Sequence, residues 1–119
     1  MFKIQDNKIF LTRGDKCTIA VTIDGYTFKQ GDYIKFKIYK KNRLNQKPLL
    51  IKKIEAKKET NEIEIKLLAS ETKIEEPQNY TTTYWYEIEL NDEQTILGYD
   101  DDGAKILLLY PEGVDGDEQ

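Results

Sequence analysis

Reactive chemistry needs particular side chains at particular spacings, and this chain offers few. It has no histidine, so the commonest general base, the usual zinc ligand and the nucleophile–histidine triads are absent. Its one cysteine, Cys17, cannot form an internal disulfide and lies in phase with Ile19, Val21 and Ile23, which makes it a small core hydrophobe. Ser70, the only serine, has no G-x-S-x-G around it. Glu87 and Glu89, and likewise Glu62 and Glu64, stand two apart on expected strands, roughly 6–7 Å from one another on one face. Glycosidases use carboxylates at such separations. These alternate with core positions, however, and read as ordinary solvent-facing strand residues. Asp100-Asp101-Asp102-Gly103 resembles part of a calcium loop but lacks the remaining ligand spacing, and reads as an acidic turn. Arg13-Gly14-Asp15 spells an integrin-recognition tripeptide whose Gly and Asp suit a hairpin equally well. Neither catalytic residues nor a metal or cofactor are expected.

The elements that must carry these residues are strands. Period-two alternation recurs in short runs separated by Gly, Asp, Asn or Pro. Strands are predicted at Lys8–Thr12, Lys16–Ile23, Tyr33–Tyr39, Leu49–Lys57, Glu62–Leu67, Thr82–Leu90, Gln94–Tyr99 and Lys105–Tyr110. The Leu49-Leu50-Ile51 run blurs the alternation and suggests a bulge. Lys40–Pro48 reads as a loop. Leu68–Asn79 reads as a crossover between sheets, with Ser70–Lys73 able to form one helical turn before Glu76-Pro77 ends it. Seven or eight short strands with turns every 8–12 residues or so predict an all-β, immunoglobulin-like antiparallel β-sandwich, without the antibody Cys–Trp–Cys pattern. Its 119 residues suffice for one domain, placed at 1–112, with an acidic flexible tail at 113–119. No run approaches the roughly 18 apolar residues of a membrane span, and Met1–Asp6 lacks the apolar region of a secretory signal, so a soluble protein made in the cytosol is expected.

Charge is unevenly spread. Lys29–Lys58 carries a balance of +9, and Glu59 to the end carries −14, within a net charge of −4. Either basic and acidic strands pair across one sheet, or they form opposite surfaces through which copies stack, with Lys52 and Lys53 on the basic side. Nucleic acid is not an expected partner, since only Arg13 and Arg43 could make bidentate contacts and the acidic segment repels phosphate. The most distinctive cluster is Thr81-Thr82-Thr83-Tyr84-Trp85-Tyr86. Tyr84 and Tyr86 suit the core. Trp85 belongs to the other face, where it is packing if a loop covers it, and an interface anchor or sugar-stacking platform if none does.

The order of these signals, from Ile9-Phe10-Leu11-Thr12-Arg13-Gly14-Asp15 through Gly31-Asp32-Tyr33-Ile34-Lys35-Phe36 and Tyr84-Trp85-Tyr86-Glu87-Ile88-Glu89-Leu90 to Ile106-Leu107-Leu108-Leu109-Tyr110, resembles a phage family. It is similar to the immunoglobulin-like N-terminal domain of phage baseplate upper proteins and to short tail or baseplate proteins of phages and prophages of Gram-positive hosts. The resemblance implies a non-catalytic virion subunit, assembled in the bacterial cytoplasm, that contacts other tail or baseplate proteins or further copies of itself. Those relatives continue beyond this domain, so their connector role does not transfer. The alternative is a carbohydrate-binding module that recognises a bacterial surface through Trp85.

Overall fold

The computed structural model describes residues 1–40 and 47–112. The expected tail at 113–119 and most of the Lys40–Pro48 loop, including Lys41 and Arg43, lie outside the described residues. Among the described residues nine strands form: β1 (Phe2–Gln5), β2 (Lys8–Thr12), β3 (Cys17–Val21), β4 (Tyr33–Tyr39), β5 (Leu50–Glu55), β6 (Ile63–Leu67), β7 (Thr82–Leu90), β8 (Gln94–Leu97) and β9 (Lys105–Tyr110). They make an all-β sandwich. The large sheet runs β1-β2-β9-β7-β4-β5, with β8 also on β7, and the small sheet is β3-β6. The chain passes between the sheets from β2 to β3, from β3 to β4, from β5 to β6 and from β6 to β7, the crossing pattern of an immunoglobulin-like sandwich.

Three details differ from the sequence expectation. The sheet is not wholly antiparallel, because β2 lies parallel to β9, with Ile9 opposite Leu107 and Leu11 opposite Leu109. An additional strand, β1, pairs with β2 through a two-residue turn at Asp6 and Asn7, both at positive φ (52° and 63°). That geometry suits residues that tolerate the left-handed region, and Asp-Asn was its sequence signal. The bulge is also elsewhere. The β4–β5 register is regular from Tyr33↔Glu55 to Ile38↔Leu50, whereas β7–β8 shifts between Ile88 and Glu89. The alternation of β5 blurs instead because Lys52 lies opposite Phe36, on the inward side of an edge strand.

Leu68–Asn79 does cross between the sheets. Its start is a hydrogen-bonded turn in which the Glu71 and Thr72 N–H groups both donate to the Leu68 carbonyl, and no helix forms. Between the sheets Ile9, Leu11, Ile34, Phe36, Ile38, Ile65, Ile88 and Leu107 are buried, each stabilising by about 1.5–3 kcal/mol relative to exposure. Phe28 joins them from a loop, held by reciprocal backbone bonds with Thr60.

Candidate functional site

Side chains alternate across a strand, so burying one parity of β2, β4, β7 and β9 turns the other outward. Directly opposed residues share a face, and the register therefore assembles the outer surface of the large sheet. Trp85 sits between Tyr39 of β4 and Ile106 of β9. The neighbouring row places Leu108 between Thr83 and Phe10. Phe10, Tyr39, Trp85, Ile106 and Leu108 are all half-buried, and no described strand packs over them. The opposite end of the same face is charged and internally matched. Lys37 pairs with Glu89 at 2.8 Å and Lys35 with Asp92 at 2.9 Å, while the Tyr39 hydroxyl donates to Glu87 at 2.8 Å. Burial and that carboxylate together push the Tyr39 phenol well above its ordinary value. One half of the face is thus apolar and aromatic, and the other is a closed set of ion pairs.

The remaining sequence candidates separate. Lys53 is exposed on the outer side of β5, its ammonium 4.2 Å from the Tyr33 ring centroid. Lys52 is on the other side of the strand, half-buried and 2.9 Å from Glu71. Burial raises the Glu71 carboxyl, but the Leu68 N–H and Lys52 outweigh it and hold it below the usual range. Lys52 and Lys53 therefore do not form one basic patch. Four lysines of the basic segment meet carboxylates of the acidic one: Lys35–Asp92, Lys37–Glu89, Lys40–Glu75 and Lys52–Glu71. The opposed segments thus pair within the molecule at these four places, once between strands, at Lys37–Glu89, and three times from a basic residue to an acid in a connection.

Other motifs have local explanations. Arg13 is 12% exposed and bound to Glu112, the Gly14 N–H donates to the Thr72 hydroxyl, and Asp15 accepts from the terminal ammonium, so the tripeptide is not displayed as a free loop. Asp100 accepts from Lys105 at 2.8 Å and from the Asp102 N–H at 2.9 Å, closing an acidic turn. Among the described residues no group of three or more carboxylate or thiol side chains could hold a metal ion. Cys17 is buried, and that burial, with Asp15 nearby, pushes its thiol from 9.0 to about 11.

Sequence reasoning missed Phe10, Ile106 and Leu108 as companions of Trp85. Their parity, opposite to the core residues of β2 and β9, was the available signal. Which strands lie beside β7 was not, because that is a long-range pairing. Comparison with known families, with curated proteins and with solved structures finds no match.

Proposed function

We propose that this chain is a non-catalytic structural subunit of a phage particle, in the tail or baseplate, that works by protein–protein contact. The observation that carries the contact reading is the apolar half of the outer face, with Trp85 at its centre between Ile106 and Tyr39. Aromatic anchors of this kind dominate binding energy at interfaces when a partner removes them from water. The charged half, already matched internally, leaves orientation to the apolar rows. The phage assignment rests on the sequence resemblance, and the sandwich topology is compatible with it.

The test is to purify particles from the cells that encode the chain and quantify it by mass spectrometry. A fixed copy number per particle that falls on Trp85→Ala, with the variant still folded, supports the proposal. Absence of the chain from purified particles overturns it.

A further inference from the structure

The two sheets are unequal, and the mismatch leaves a feature independent of that reading. The small sheet has only β3 and β6 to set against seven strands. β3 is bonded to β6 on one side, and among the described residues no loop supplies backbone bonds to residues 17–22 on the other. Alternate N–H and C=O groups of β3 therefore face outward unpaired. Sheet edges are ordinarily guarded by charge, proline or a bulge. β1 carries Lys3 and Gln5, and β5 carries Lys52 and Lys53. β3, Cys17-Thr18-Ile19-Ala20-Val21, has no such guard, and its register with β6 is unbroken.

Beside this edge lies an open cleft of about 430 Å³. It is lined by every residue from 19 to 24, and side chains of one face alone would alternate, so the cleft follows the edge of the strand. The other wall is apolar: Ile4 of β1, Ile9 of β2, Ile88 of β7 and Leu97 of β8. Unpaired backbone next to an apolar cleft suits an added strand, whose main chain extends the ladder while its alternate side chains enter the cleft.

The two ends of the edge choose the occupant. Lys16 and Asp24 lie four residues to either side of Ala20, both exposed and without an ion-pair partner among the described residues. An antiparallel strand meets Asp24 with its first residue and Lys16 with its ninth. A second copy of β3 would match these charges, but its own Ile19 and Val21 are buried in its core and cannot enter the cleft. We infer that the free edge of β3 binds an extended segment of a different protein, antiparallel, basic at its start, acidic at its end, and apolar at the positions opposite Ile19, Val21 and Ile23.

The experiment is a titration of the ¹⁵N-labelled full chain with the synthetic peptide Lys-Ile-Thr-Val-Thr-Val-Thr-Ile-Glu. Saturable shifts are expected at the amides of β3, Ile4 and Leu97, with the Trp85 indole unmoved. Exchanging the terminal Lys and Glu of the peptide should weaken binding by about three- to tenfold, because two exposed pairs become two repulsions. In the double variant Lys16→Glu, Asp24→Lys, changed at exposed positions only, that preference should reverse. Ile4→Asp, which puts a charge in the cleft wall, should weaken both peptides by about tenfold or more. Of two peptides N-methylated on complementary alternate residues, the one whose methyl groups face β3 should lose binding and the other keep it. Absence of saturable shifts, or binding kept by both N-methylated peptides, would overturn the inference. So would β3 shifts that follow protein concentration without peptide, which would give the edge to a second copy.

Discussion

Cys17 shows how a residue's surroundings set its chemistry. Behind the small sheet its thiol is raised to about 11 by burial and by Asp15, so at neutral pH it is almost wholly protonated. A disulfide reagent should leave the native protein unlabelled, with labelling appearing only together with unfolding; rapid labelling of folded protein would place β3 in the wrong phase. Tyr84 and Tyr86 behave alike. Burial, helped at Tyr84 by the bond to Glu75, raises both phenols from 10.0 to about 12. The folded state then holds protons that the unfolded chain releases, so stability is intact below about pH 9 and falls as the pH climbs toward 12. Urea midpoints across that range should decline, and a flat profile would contradict the buried placement of all three groups. Asp32 works in the opposite direction. Its carboxylate accepts from the Tyr26 hydroxyl, the Lys29 N–H and the Asn91 amide and is held below its ordinary value, giving stability that is present above that value and lost as the pH falls through the lowered one.

Elements differ in how much each one bears. β4 lies between β7 and the edge strand β5, paired on both sides, and Phe36 on it is fully buried against a tilted Tyr86 ring 5.7 Å away. Phe36→Ala should cost about 3–5 kcal/mol, read as a shift in the denaturant midpoint. Edge strand β5 is different. Lys52→Glu sets two carboxylates against each other at the Glu71 contact and should destabilise by about 1 kcal/mol, whereas Lys53→Glu on the outer side should change stability less. Thermal unfolding of the two single variants distinguishes them. Equal losses would mean that Lys52 is not on the inward side. The same contrast makes Lys53 alone, without Lys52, the clean probe of any basic contact on this strand.

At the scale of the whole molecule, the described residues of the +9 and −14 segments meet in four ion pairs. These pairs neutralise part of each segment's charge within one molecule. Light scattering over a salt series should show no dissociation as salt rises, since the contact proposed for the Trp85 face is apolar and only weakly screened. A mass that falls steadily with salt would restore the charge-complementary model.

The sequence by itself determined the strand class, the inward parity of each long strand and the core placement of Cys17, because period-two burial is a local property of a few successive residues. It carried the sign of the Trp85 face in the same way: the residue must lie opposite Tyr84 and Tyr86. It did not carry what lies beside that residue. Tyr39 and Ile106 are far from Trp85 along the chain, and their meeting depends on β4 and β9 flanking β7, a choice made by the packing of the two sheets together. The inward turn of Lys52 toward Glu71 depends on β5 being the sheet edge, where a long side chain can reach out past the core. The bonds of Arg13 to Glu112 and to the Glu75 carbonyl need the ends of β2 and β9 and the 75–79 turn to converge. Contacts that close large loops of chain are decided only when the tertiary structure forms, and the apolar outer face around Trp85 is built from such contacts.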